Sequence, residues 1–269
     1  MLTHRLISTI ALVTITILAL FYNPFFILLI LLLTFGGLYE FFSLVEKKGV
    51  PVYKYFGTIV GLIIPLSIFY RFELTKGWEL LFIVIGLISL FVLQIVKKDN
   101  SQALFSISAT IFGILYISWL FSFMVKIRLL PHGAALLGAL IFITKVTDIG
   151  AYLIGTRFGK HILLPKISPK KSIEGSIGGL FFAVLAALAS KSFLPDIAVF
   201  SYINLIFIGF SLGIVTHLGD LSESLIKRDC LAKDSSYVFP GIGGVMDLID
   251  SLLFTAPVFY FYIYRVLSQ

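Results

Sequence analysis

Nine of the fourteen acidic residues fall between positions 147 and 250: Asp148, Glu174, Asp196, Asp220, Glu223, Asp229, Asp234, Asp247 and Asp250. In the stretch Gly219-Asp220-Leu221-Ser222-Glu223-Ser224-Leu225-Ile226-Lys227-Arg228-Asp229, Asp220 and Glu223 are three apart and Lys227 is four further on. A helix puts all three on one face. Lys233-Asp234 follows, then a flexible Pro240-Gly241-Ile242-Gly243-Gly244, then Asp247 and Asp250, again three apart at a predicted helix start. Two such carboxylate pairs brought together make a hard-oxygen site. Mg²⁺ favours a few carboxylates combined with water and substrate phosphates. Lysine and arginine alongside take up further phosphate charge, and glycines let the backbone approach a ligand closely. The residues therefore suit a metal–polyphosphate.

Two upstream segments extend the pattern. Asp148 sits in Thr147-Asp148-Ile149-Gly150-Ala151-Tyr152, three residues after Lys145, inside an apolar stretch. Gly155-Thr156-Arg157-Phe158-Gly159-Lys160 and Ile167-Ser168-Pro169-Lys170-Lys171-Ser172-Ile173-Glu174-Gly175-Ser176 form a basic, Gly- and Ser-rich loop that runs into a new helix. Backbone N–H groups at a helix start, with Lys170 and Lys171 beside them, suit phosphate. The G-x-x-x-x-G-K-[ST] spacing of a P-loop is absent. Structural ion pairs and an ordinary basic loop are the plainer readings of the same residues. The four histidines have no metal-ligand spacing, and His217 reads as a hydrogen-bonded structural residue.

The elements that must position these groups are membrane helices. The chain has 269 residues, 59% of them hydrophobic and only 13% charged, with a mean hydropathy of +1.04. Soluble domains are about 45–50% apolar and about 25% charged. A span needs about 20 largely apolar residues. That criterion predicts an all-α, polytopic chain with about nine spans, near 5–22, 24–43, 54–70, 78–96, 103–124, 132–155, 174–194, 199–217 and 247–266. The N-terminal run reads as a retained span, without a convincing cleavage site. The single cysteine, Cys230, rules out an intramolecular disulfide. One membrane domain is expected over 1–269, with N-terminal spans in 1–130 and a catalytic half in 131–269.

Lysine and arginine then set the orientation. With the N-terminus in the cytoplasm, fourteen of them flank the cytoplasmic side and six the other. Cytoplasmic loops are enriched in these residues. The same bias accounts for the net charge of +7, so no nucleic-acid partner is called for. The acidic motifs are thereby expected to face the cytoplasm.

Ser224-Leu225-Ile226-Lys227-Arg228, Lys233-Asp234, Pro240-Gly241-Ile242-Gly243-Gly244, Asp247 and Asp250-Ser251 resemble, in order and spacing, the signature of phosphatidate cytidylyltransferases. The Thr-Asp-x-Gly-Ala-Tyr, Gly-x-Arg-Phe-Gly-Lys and Ile-Ser-Pro-Lys-Lys-Ser-x-Glu-Gly runs resemble that family's preceding blocks. The resemblance covers about residues 144–255. It implies that CTP and phosphatidic acid give CDP-diacylglycerol and pyrophosphate, in a multi-pass homodimer of a bacterial inner membrane. It also implies one Mg²⁺ ion or two, held by Asp220, Asp247 and Asp250. Lys227, Arg228, Lys170 and Lys171 would meet phosphates. Ser168, Lys233, Gly243, Gly244, Asp148 and Glu223 are expected on the substrate side. The chain departs from the family pattern at Ile242 and Leu248, where a His and an Arg are usual, and at Ile149 and Ile173. A CTP-dependent polyprenol or dolichol kinase and a secondary transporter are the alternatives. A transporter often shows repeated halves, whereas these acidic residues crowd one half.

Overall fold

The computed structural model describes residues 2–71, 76–236 and 243–267. Its N-terminal half contains α1 (Leu2–Phe21), α2 (Asn23–Lys47), α3 (Lys54–Phe69) and α4 (Lys76–Ile95). Then α5 (Ala103–Gly113), a π-helical turn (Ile114–Trp119) and α6 (Leu120–Arg128) run on as one rod. The C-terminal half contains α7 (Gly133–Phe158), β1 (Ile162–Leu164), β2 (Ser168–Ser172), α8 (Ile173–Ser190), α9 (Tyr202–Asp229) and α10 (Val245–Leu267). Each predicted apolar window falls on one of these helices or on the rod. Six stretches are long and apolar enough to cross a membrane: Asn23–Lys47, Ala103–Arg128, Gly133–Phe158, Ile173–Ser190, Tyr202–Asp229 and Val245–Arg265. Shorter apolar stretches lie at Ile10–Phe21, Lys54–Phe69 and Phe82–Ile95.

Local chemistry sets the ends. Tyr22 is extended between α1 and α2, and Pro24 fills the first turn of α2, where its missing N–H costs nothing. Ser172 and Ser201 cap α8 and α9 by accepting from Gly175 N and Asn204 N. α9 is longer than the apolar window that predicts it, because its last turns carry the polar face with Glu223 and Lys227.

One feature corrects the all-helical expectation. The basic loop before α8 folds into an antiparallel pair, with Ile162 opposite Ser172 and Leu164 opposite Ser168. Its fixing points are distant in sequence. Glu174 accepts from Lys160 N, His161 N and His161 Nδ1, and Arg228 Nε donates to Ile167 O at 3.3 Å.

α7, α8, α9 and α10 pack in succession, and α2 packs against both α3 and α10. Small residues allow close approach, as is usual where lipid offers helices no hydrophobic drive to associate. At Gly219 an added Cβ would lie 2.7 Å from the Asp250 carbonyl oxygen, so α9 and α10 touch backbone to backbone beside two predicted site residues.

The two halves are joined by a buried carboxylate. Glu40, on α2, accepts from Val245 N and Met246 N at 2.8 Å each, from Ser235 Oγ at 2.9 Å and from Ser236 Oγ at 2.5 Å. The first amides of a helix have no intrahelical partner, and their partial positive charge favours an anion. Glu40 supplies that anion to α10 from across the fold. Replacing Glu40 by Ala leaves these donors unmatched, each at about 1–3 kcal/mol. The thermal midpoint of the detergent-solubilised protein should fall by roughly 10 °C or more. Glu40→Gln, which keeps one acceptor oxygen, should lose less.

Candidate active site

The helical face predicted from Asp220, Glu223 and Lys227 forms on α9. Lys227 Nζ lies 2.6 Å from Glu223 Oε2 and 2.5 Å from Asp247 Oδ1, so one ammonium bridges α9 and α10. Asp247 Oδ2 accepts from Gly244 N at 2.9 Å and Ser235 Oγ at 2.7 Å, which caps α10. The turn before α10 needs its glycines. Gly243 has φ +122°, and a Cβ on Gly244 would fall 2.1 Å from Ser235 Oγ and 2.4 Å from Glu40 Oε2.

The next ion pairs come from β2 and α7. Lys171 Nζ is 2.9 Å from Asp220 Oδ2. Lys145 Nζ is 3.5 Å from Asp148 Oδ2 and donates to Leu248 O at 3.2 Å and Ser251 Oγ at 3.3 Å. Asp250 lies among these groups, within electrostatic reach of Asp220, Glu223, Asp148 and Lys145. Three ion-paired groups, Lys227 with Glu223 and Asp247, Lys171 with Asp220, and Lys145 with Asp148, thus stand on α7, β2, α9 and α10 as one array around Asp250.

Some polar atoms of the array are left over. Among the described residues, Glu223 Oε1 and Asp148 Oδ1 are buried without a hydrogen-bond partner, and so is the hydroxyl of Tyr116. Buried polar atoms are normally paired, and unpaired carboxylate oxygens are the hard donors that Mg²⁺ takes. The residues present therefore fit a divalent cation in the chemistry of their donor oxygens. Among the described residues, however, no three or more His, Cys, Asp or Glu side chains are gathered as a ready cage. Asp247 faces Lys227, Ser235 and Gly244, whereas Asp220 pairs with Lys171 of β2 and Asp250 Oδ1 accepts from Ser251 N at 2.6 Å.

Other residues singled out from the sequence take different places. Lys170 alternates with Lys171 along β2, so it points the other way, and it is exposed. Lys233 is exposed beyond α9. Arg228 donates to the carbonyls of Ile167 and Ala232, tying α9 to the β-hairpin. Ser168 is half-buried in the hairpin opposite Leu164. Pro240, Gly241 and Ile242 lie outside the described residues. Leu248 packs its side chain against the core, while its carbonyl holds Lys145. Asp196 pairs with Lys191 at 2.6 Å beyond α8, and that hydrogen bond holds its carboxyl below the usual range. His217 donates from Nε2 to Ser176 O at 3.1 Å, a structural contact as expected.

Glu40, Ser235 and Tyr116 escaped the sequence reading. Glu40 carried a usable signal, since an acidic residue inside an apolar span is a functional pointer in itself. Tyr116 carried none. It is one of 12 tyrosines in an aromatic-rich chain, and its inward direction depends on the π turn.

The sequence pattern of the Cytidylyltransferase family matches residues 3–266. The uncharacterized protein YnbB of Escherichia coli is 34% identical over 246 residues, spanning 86% of this chain and 78% of its own. A phosphatidate cytidylyltransferase of Synechocystis is 32% identical over 267 residues, 88% of each chain. Another, of Haemophilus influenzae, is 32% identical over 287 aligned positions, 98% of this chain and 99% of its own. The match spans the N-terminal helices as well as the motif-bearing half, and on that footing the chain belongs to the cytidylyltransferase family.

Proposed function

We propose that this protein is a phosphatidate cytidylyltransferase, which transfers the cytidylyl group of CTP to phosphatidic acid and releases pyrophosphate. The observation that carries this reading is the array of five carboxylates and three lysines on α7, β2, α9 and α10. It lies in a family whose named relatives are phosphatidate cytidylyltransferases.

The chemistry asks little covalent work of the protein. A phosphate oxygen of phosphatidic acid is ionised at neutral pH and needs no base. It attacks the α-phosphorus of CTP, a new P–O bond forms, and the bond to the β-phosphate oxygen breaks. Catalysis is then positioning and charge neutralisation. Lys171 and Lys227 stand on short ion pairs, where exchange of a carboxylate for a phosphate oxygen would keep each ammonium matched. Lys145 is fixed by Leu248 O and Ser251 Oγ and holds Asp148 in place. Asp220, Asp250, Glu223 and Asp148 would hold Mg²⁺, and Asp247 would orient Lys227. When bound, the ion neutralises the polyphosphate and polarises the α-phosphate.

We read all nine helical units as spans, with the N-terminus and the array at the cytoplasmic face, where CTP is found. The division of lysine and arginine, fourteen against six, supports that orientation. Bacterial relatives support an inner-membrane location. A homodimer follows from the family resemblance alone.

The direct test follows label from CTP into lipid, using protein in mixed micelles with phosphatidic acid and Mg²⁺. Label from the α-phosphate should enter the chloroform phase, and label from the γ-phosphate should leave as pyrophosphate. γ-Label in lipid would instead make the protein a lipid kinase. Asp250→Asn and Asp247→Asn should each lower kcat by roughly 10²–10³-fold, the usual loss for one preorganised electrostatic contact. Asp247→Asn keeps an acceptor oxygen for Gly244 N but leaves Lys227 paired with Glu223 alone, so its thermal midpoint should also fall. Near-normal turnover by either folded variant would remove that residue from the site. Chelation with EDTA should abolish transfer, and added Mg²⁺ should restore it.

A further inference from the structure

An apolar cleft of about 440 Å³ opens between the α5–α6 rod and the α9–α10 pair. Leu115 and Trp119 line one side, and Leu225 and Phe254 the other. Ser222 also lines it, but its hydroxyl donates to Leu218 O at 2.7 Å and so leaves the wall apolar. Leu115, Trp119 and Leu225 are about half exposed. The cleft thus opens on the flank of helices long and apolar enough to span the bilayer.

Tyr116 is where the cleft meets the charged array. Its ring lines the cleft and packs edge-on against Phe254, at 6.0 Å between centroids. Its hydroxyl is buried, has no hydrogen-bond partner among the described residues, and lies within electrostatic reach of Glu223, Asp250 and Asp220. The residue sits in the π turn Ile114–Trp119. Such single-turn insertions are infrequent and gather at functional sites. Here the turn buries Tyr116 while its neighbours Leu115 and Trp119 remain on the open side.

We infer that this cleft receives an acyl chain of the phospholipid substrate, and that the Tyr116 hydroxyl donates to an oxygen at the polar end of the same molecule. The inference rests on the proposed phosphatidate specificity. An amphiphile whose anionic head reacts at the array must lead its chains away from it, and this apolar cleft adjoins the array through Tyr116. A donor hydroxyl left unmatched in the protein alone becomes matched when a phosphate or ester oxygen stands beside it. Its position at the end of the cleft gives the lipid a register, with head and chain on either side of one ring.

The test uses Trp119 as a reporter, in full-length protein whose other tryptophan is replaced by Trp78→Phe. Chain-brominated phosphatidic acid, titrated into micelles, should quench Trp119 saturably and more strongly than chain-brominated phosphatidylcholine. Leu225→Phe, which fills the cleft, should remove that excess. It should also lower kcat/KM at least tenfold for long-chain phosphatidate, and much less for a short-chain form, at unchanged KM for CTP. Tyr116→Phe deletes an unpartnered buried hydroxyl, so it should fold at least as stably as the parent. It should raise KM for phosphatidate about tenfold, the worth of one hydrogen bond, and leave KM for CTP alone. Equal quenching by both lipids would mean bulk-lipid contact only and would overturn the inference. So would an unchanged phosphatidate KM in Tyr116→Phe. Parent protein that shows selective quenching yet transfers no label from CTP would instead overturn the proposed reaction and leave the cleft in place.

Discussion

A charge inside a membrane-spanning fold has to be met by an opposite charge or a dense set of hydrogen bonds, because lipid offers neither. In this protein Lys227 meets two carboxylates at once, one on its own helix and one on α10. That bridge sets the separation of α9 and α10, and the missing side chain of Gly219 lets the two backbones close to contact beside it. Lys171 and Lys145 repeat the arrangement toward β2 and α7. Four segments far apart in sequence are thereby drawn to one polar centre.

The start of α10 is the second fixed point. Its first amides are held by Glu40 from α2, Asp247 from its own first turn holds the Gly244 amide just before it, and the single Ser235 hydroxyl proton is shared between the two carboxylates. Helix ends in a low-dielectric setting need such partners. The Gly243-Gly244 turn leaves room for them, since a side chain at either position would strike Asp247, Ser235 or Glu40. The glycines of the motif therefore serve the carboxylates already present, whatever ligand arrives later.

The helical units were legible because membrane spans announce themselves by composition and length. The polar face of α9 was legible because spacing of three and four places Asp220, Glu223 and Lys227 together on any helix. What spacing does not encode is which neighbour each group meets. Lys170 and Lys171 look equivalent in sequence, yet strand alternation sends one outward and the other to Asp220. Arg228 looks like a phosphate ligand, and spacing does not show that it also holds the carbonyls of Ile167 and Ala232. The hairpin at 162–172 has strands too short to show a period, and its anchors at Glu174 and Arg228 are tertiary. Glu40 was hidden by attention to the acid-rich half, although a lone carboxylate in an apolar helix is conspicuous on physical grounds.

The contact between Glu40 and α10 spans 205 residues of chain. During synthesis α2 enters the bilayer long before its partner amides exist, carrying a carboxylate with nothing to satisfy it. Until α10 is threaded in, that group must stay hydrated, protonated or held by the insertion machinery. Its capture by the α10 amides then couples completion of the polar centre to arrival of α10. An intermediate without α10 has neither the Lys227 bridge nor the Glu40 cap, so the order of membrane insertion keeps a partly built chain from presenting a working site.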